Sequence, residues 1–190
     1  PNDLPYVKLV DEDFSYILPK EYGYFANKII STNRMLMKLY DVEYGHIIDG
    51  NTDLMMASHL SQIGNGFATM VPYSQTVLYP GGIFMFDDFA TTNWLATLVY
   101  HEMSHVYQLS MNDSGPGKYS QLLFGNNWIN FLPIPVKIFP LRTIPLPVLT
   151  FPNVFMPDFF LEGNATFNES RFGYGGRLYS GHYRALFYLF

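Results

Sequence analysis

The stretch Asn93–Ser110 reads NWLATLVYHEMSHVYQLS and decides how the rest of the chain is interpreted. Apolar residues recur through it at intervals of three and four, which predicts an amphipathic helix. The polar run Thr91-Thr92-Asn93 offers an N-cap, and the turn-forming residues of Asn112–Pro116 follow its end. This is the clearest helix that the sequence predicts.

The same helix contains His101-Glu102-Met103-Ser104-His105, an HExxH pattern. Residues four apart lie on one face of a helix, about one turn apart, so the two imidazoles can bind one metal ion. Glu102 then lies beside the open coordination position, where it can take a proton from a water molecule on the metal. We therefore expect a zinc ion on His101 and His105, with Glu102 as general base. The alternative is a pair of helix-face histidines beside a solvated carboxylate.

A catalytic zinc needs a third protein ligand. One class of HExxH zinc sites takes its third ligand from a His a few residues further along the chain, in the pattern HExxHxxGxxH. No His occurs in Val106–Gly115, which excludes that class. A second helix, predicted over Phe159–Ser170, carries Glu162 near its start, and Gly163 after it is expected to allow close helix packing. Glu162 is thus the candidate ligand, although a carboxylate there also stabilises a helix N-terminus. Glu169, nearly on the same face, is a candidate hydrogen-bond acceptor for a ligand His or else a plain surface residue.

The segments HEMSH and LEGNATFNES together resemble the gluzincin clan of zinc metallopeptidases, which includes thermolysin-like and aminopeptidase-N-like enzymes. The EGxAxxxE form is most similar to the aminopeptidase-N branch and to peptidase MA-like domains. The tail Arg171–Tyr183, with its Gly-Gly-Arg, resembles members that carry a downstream β-propeller. The resemblance implies one zinc ion on His101, His105 and Glu162, Glu102 as base, and a peptide or protein substrate. The 56 residues between His105 and Glu162 are a longer gap than those enzymes have.

The resemblance also implies that a downstream Tyr or His donates a proton or stabilises the oxyanion. Tyr174, Tyr179, His182 and Tyr183 are the candidates. His182 and Tyr183 lie on a helix predicted over Leu178–Phe190 and are the two to which we assign this role. Each of them can equally be a surface or core aromatic residue.

These elements predict an α+β fold that is zincin-like, with a small mixed sheet whose edge strand packs on the HExxH helix and a second, Glu-bearing helix. The remaining predicted elements are strands at Phe14–Leu18, Gly66–Val71 and Thr76–Tyr79, and helices at Tyr22–Tyr40 and Thr52–Leu60. Seven prolines in Phe131–Pro157 exclude a long helix or central strand, so this stretch is expected to be an apolar, wandering loop.

The 190 residues are expected to form a single metallopeptidase-like domain, a piece of a longer chain, with a sheet-rich part at 1–92 and the active-site helices at 93–190 around the Pro-rich loop 131–157. The net charge of −5 argues against nucleic acid as a partner. The absence of cysteine excludes disulfides, thiolate metal sites and a cysteine nucleophile. No run of 18 apolar residues occurs, so no transmembrane span is expected.

Two other functions fit the same sequence. The domain can be a degenerate peptidase fold that serves as a docking or scaffold module through the apolar loop 131–157. The aromatic stretch 131–160 can also contact a membrane surface or a downstream domain. A purely structural zinc site is disfavoured because such sites have four protein ligands and only three are identified. The resemblance and the cysteine-free composition favour a bacterial extracytoplasmic location, periplasmic or secreted.

Overall fold

The computed structural model describes residues 5–45, 47–48, 51–57, 64–70, 73–81, 93–110, 130–137, 143–150, 157–173 and 175–188. Within 130–150, and at four positions of the last helix, it describes the backbone alone. None of the described helices combines the length and the apolar character that crossing a membrane requires.

A five-stranded mixed sheet forms the base of the fold. Its strands are β1 (Tyr6–Asp11), β2 (Phe14–Pro19), β3 (Thr52–Met56), β4 (Asn65–Thr69) and β5 (Gln75–Tyr79). They lie in the order β1-β2-β3-β5-β4. The strands β2, β3 and β5 are mutually parallel, whereas β1 and β4 run antiparallel to their neighbours and form the two edges. The prediction of a mixed sheet is confirmed, and β4, which falls within the strand predicted at Gly66–Val71, is one edge of the described sheet.

Within the described ranges four α-helices accompany the sheet: α1 (Gly23–Tyr44), α2 (Trp94–Ser110), α3 (Asp158–Phe172) and α4 (Gly181–Tyr188). Parallel strands need a crossover connection, and α1 supplies it between β2 and β3. It ends at Gly45, whose positive φ of 69° is the left-handed geometry of a helix C-cap. At the start of α2 the predicted cap is present, because the backbone N–H of Ala96 donates to Oδ1 of Asn93 at 3.4 Å.

The core lies between the sheet and the helices α1 and α2. Alternation along β3 places Thr52, Leu54 and Met56 on the buried side of the sheet. Nearly every residue of α2 is buried, including its charged and polar ones. A helix buried on all sides must satisfy its polar groups within the protein, which makes the hydrogen bonds of its histidines and its glutamate informative.

Two predicted helices differ from the structure, one in type and one in where it begins. The segment Thr52–Leu60, predicted as a helix, forms β3 over its first five residues, where it pairs with β2 and β5. An apolar run this short has too few residues for its periodicity to distinguish a helix from a strand. The predicted helix Leu178–Phe190 begins later, at Gly181, after a single 3-10 turn at Arg177–Tyr179.

The predicted wandering loop at 131–157 is a β-hairpin over most of its length, formed by β6 (Asn130–Lys137) and β7 (Thr143–Thr150). Pro133 pairs with Pro147 and Pro135 with Pro145. In an antiparallel ladder, facing residue pairs that exchange hydrogen bonds alternate with pairs that do not. The two proline pairs are two residues apart, so both belong to the same one of these two kinds. In a two-stranded ribbon the other kind keeps its hydrogen bonds, which is why proline is tolerated here and not in a central strand.

The contact surface predicted for 131–160 falls mainly on side chains outside the described residues. Its described part is the start of α3, where Phe159 and Phe160 are both exposed.

Candidate metal centre

Three side chains predicted as metal ligands converge in the structure. His101 and His105 lie one turn apart on α2, and Glu162 reaches them from the second turn of α3. The histidines are largely buried, whereas the Glu162 side chain is 60% exposed. Taken together, one nitrogen or oxygen from each residue forms a group compact enough to hold a metal ion.

The protons of the two histidines face away from this group. Nδ1 of His101 lies 3.0 Å from the carboxylate of Glu169, which can only accept, and 2.8 Å from Nη2 of Arg177, which can only donate. We assign a proton to Nδ1, because both N–H groups can then donate to the same oxygen of Glu169. Nδ1 of His105 lies 3.2 Å from Oε1 of Gln108. The Gln108 amide donates its NH₂ to the carbonyl oxygen of Leu161, which orients Oε1 as the acceptor for His105. Each Nε2 therefore points at Glu162 and, in the neutral ring, offers a lone pair to a metal.

The spacing of these atoms matches a tetrahedral site. The two Nε2 atoms are 3.3 Å apart, and each faces its own oxygen of Glu162, with His101 3.2 Å from Oε2 and His105 3.4 Å from Oε1. Ligand atoms about 2.0–2.1 Å from a tetrahedrally bound zinc ion are about 3.3 Å from one another. Three acceptors held at this separation repel one another unless a cation or a proton lies between them, so the donor set fits a metal ion.

The ionisation of the site in the absence of a metal follows the same logic. Burial lowers the pKa of His101, but hydrogen bonds to Glu162 and Glu169 outweigh it and raise the pKa to about 9. Hydrogen bonds from the two histidines hold the pKa of Glu162 well below its usual range. Without a metal, His101 is therefore protonated on both ring nitrogens at neutral pH. Its positive charge then lies between the carboxylates of Glu162 and Glu169.

Glu102 is buried, 3% exposed, and lies beside the proposed ligands. Burial raises its pKa, and the nearby histidines offset part of that effect. A Cβ atom added to Gly66 on β4 would lie 2.6 Å from Oε1 of Glu102, so the edge strand passes directly over this carboxylate. The absence of a side chain at Gly66 makes this approach feasible.

A cleft of about 240 Å³ contains these groups. One wall is β4, the floor is α2 and the other wall is the start of α3. The lining residues are Asn65, Gly66, Phe67, Ala68, His101, Glu102, His105, Leu109, Asp158, Leu161 and Glu162. Both the candidate base and the three candidate ligands thus face a space that an extended chain can enter.

Glu169 accepts a hydrogen bond from His101, which agrees with its predicted role, and it is only 1% exposed. Burial raises its pKa, but hydrogen bonds from Arg177 and His101 outweigh burial and lower it. Gly163 does not make the predicted close contact, since a Cβ atom there would meet nothing within 4 Å. The fully buried Ala165 is the small residue of α3 that packs inward.

Sequence reasoning missed two partners of the ligands, Gln108 and Arg177. Gln108 lies three residues after His105, on the same helical face, and this spacing could have predicted the contact between them. For Arg177 the signal was the Gly-Gly-Arg run, which was noted without a role. Of the predicted oxyanion candidates, Tyr179 is exposed and does not line the cleft. Tyr174 and the side chains of His182 and Tyr183 lie outside the described residues, so their role stays a prediction.

Comparison of the chain with models of known families, with curated proteins and with solved structures finds no match.

Proposed function

We propose that this domain is a zinc metallopeptidase with a zincin-like active site, in which His101, His105 and Glu162 bind the metal. The observation that carries the proposal is the convergence of two imidazole lone pairs and one carboxylate at tetrahedral spacing. A buried glutamate beside them supports a catalytic role, because a purely structural site needs no general base. Three protein ligands, which leave a fourth position open, are typical of catalytic zinc.

A bound zinc ion would supply an acidified water molecule and polarise a carbonyl group. Glu102 takes the proton from the attacking water and afterwards passes it to the leaving amine. Its raised pKa suits both steps, because a base that must later act as an acid works best near the ambient pH.

The cleft suits an extended peptide. Because β4 is an edge of the described sheet, its outer backbone groups can pair with an added strand. The same strand lines the cleft above Glu102, so a peptide paired with β4 would pass over the metal centre. This geometry favours a peptide or protein as the substrate.

The proposal is tested by measuring bound zinc by mass spectrometry in the wild type and in Glu162→Ala, after reconstitution. We expect about one zinc per chain in the wild type and a sharp loss in the variant. Glu43→Ala is the matched control, because Glu43 is a partly exposed carboxylate that pairs with Arg171, away from the cleft. Cleavage of a peptide library by the zinc-loaded protein then tests the peptidase activity itself.

A wild type that binds no zinc would contradict the proposal and leave the docking-module alternative. A Glu162→Ala variant that keeps full occupancy would instead show that the metal has a different third ligand.

A further inference from the structure

Glu169 is held by more than the histidine that it orients. Its Oε1 accepts hydrogen bonds from the backbone N–H of Arg177 at 3.2 Å and from Nε of the same residue at 2.8 Å. Its Oε2 accepts from Nη2 of Arg177 at 2.9 Å and from Nδ1 of His101 at 3.0 Å. Nη2 of Arg177 also lies 2.8 Å from Nδ1 of His101, but both groups donate, so they share the oxygen of Glu169 and do not bond each other. The guanidinium thus grips the carboxylate through two parallel hydrogen bonds, which fixes the plane of the carboxylate as well as its position.

The segment that carries Arg177 is hydrogen-bonded to α3. The backbone N–H of Leu178 donates to Oγ of Ser170 at 3.2 Å, and Ser170 in turn donates to the carbonyl of Thr166. Gly176, with a φ of 148°, lies so close that a Cβ atom there would overlap Ser170. This close approach is what brings the Arg177 side chain back over Glu169.

We propose that Arg177 is a positioning residue of the metal centre, which acts through Glu169 to fix the ring of His101. The inference rests on the proposed zinc site and extends it by one residue that is neither a ligand nor part of the cleft lining. Without the guanidinium, Glu169 would keep one hydrogen bond on each oxygen, from the backbone N–H of residue 177 and from His101, and could tilt so that Oε2 leaves the plane of the imidazole. The two-pronged contact from Arg177 removes that freedom, so Nε2 of His101 stays aimed at the metal position. Lysine cannot reproduce the contact, because an ammonium group is a single point of charge.

The test is a double-mutant cycle read out as zinc affinity, measured by competition with a chelator on the full chain. Loss of a partner that orients a metal ligand costs about 10- to 100-fold in affinity, and we expect Arg177→Gln to lie near tenfold. Arg177→Lys should recover only part of this loss. In a Glu169→Gln background, Arg177→Gln should have little further effect, because the residue acts through that carboxylate.

A Co²⁺-substituted protein gives a second readout, since its visible spectrum reports the geometry of the ligands. Arg177→Gln should change this spectrum, whereas the matched control Arg171→Gln should not. Arg171 also pairs with a glutamate, Glu43, but on an exposed face. Circular dichroism verifies that each variant is folded, and the double variant avoids leaving Glu169 buried as an unpaired charge.

Wild-type zinc affinity and an unchanged Co²⁺ spectrum in Arg177→Gln would overturn the inference and leave the proposed function intact. Equal losses from Arg177→Gln with and without Glu169 would also overturn it, because Arg177 would then act on something else. A wild type that binds neither metal overturns both.

Discussion

Among single residues, Glu102 combines two properties that rarely occur together: it is almost completely buried and it lines a cleft. A buried carboxylate carries a cost in solvation, which appears here as a raised pKa. A nearby cation would reduce that cost. The position therefore makes physical sense as a base beside a metal and little sense as a structural carboxylate.

Replacing Glu102 with Gln keeps the shape of the side chain and removes its ability to take a proton. We expect peptide hydrolysis to fall by about 10²- to 10⁴-fold. Zinc occupancy should stay at the wild-type level, because Glu102 is not among the three ligand residues. Parallel measurements of cleavage rate and of bound metal check both statements. If Glu102→Gln also lost its zinc, the residue would be a ligand and the assigned roles would have to change.

At the level of elements, the site depends on how closely β4 crosses α2. Gly66→Ala would introduce a methyl group into the space occupied by Oε1 of Glu102. The carboxylate must then move, and we expect activity to fall by roughly 10- to 100-fold, since small displacements of a catalytic group are costly. Kinetic measurements on the zinc-loaded variant check this outcome.

Gly163→Ala is the matched control for that substitution. It adds the same methyl group on α3, where nothing lies within 4 Å of it. Alanine in place of glycine inside a helix stabilises by about 0.5–1 kcal/mol, so the midpoint of thermal unfolding should rise and activity should stay unchanged. Equal losses of activity in the two variants would show that the close crossing of β4 does not matter.

The elements also explain which parts of the structure the sequence predicts. The helix α2 follows from local periodicity and its two histidines from the spacing of HExxH, and the position of Glu162 follows from the helix predicted over Phe159–Ser170. All three depend on neighbouring residues alone. The strand β3 and the hairpin β6–β7 were missed because each depends on a partner strand that local patterns do not reveal. Arg177 was missed for a related reason, since its contact with Glu169 depends on the path of the backbone at Gly176.

For the whole molecule, the metal centre belongs to a core in which helices are joined by buried polar contacts. Tyr40 on α1 donates to the backbone carbonyl of Tyr100 on α2 at 2.8 Å, and Ser104 donates to the Tyr40 hydroxyl at 2.9 Å. Asn168 on α3 donates to Ser104 at 3.2 Å. Ser104 lies within the HExxH segment, so this network ties the ligand helix to both neighbouring helices. A weakening of these contacts is therefore expected to affect both the fold and the site.

Ionisation of tyrosine offers a way to weaken the core without a mutation. Burial raises the pKa of Tyr40 and Tyr16, and burial together with the Asp41 carboxylate raises that of Tyr107. In the unfolded chain these hydroxyls ionise near pH 10. Because the folded pKa values are higher, the unfolded state releases its protons first. The stabilisation is complete below about pH 10 and is lost as the pH rises toward the folded pKa values.

Each such tyrosine lowers the free energy of unfolding by about 1.4 kcal/mol per pH unit in that window, so three give at most roughly 4 kcal/mol per unit. Urea unfolding at neutral pH and at about pH 11 measures the loss, and tyrosinate absorbance records when the buried hydroxyls ionise. Their absorbance should appear together with unfolding and not before it. In Tyr107→Phe the slope should be shallower, because unfolding then releases one coupled proton fewer. A free energy of unfolding that stays constant above about pH 10 would mean that these hydroxyls ionise as easily in the folded protein as in water, contrary to their burial in the core.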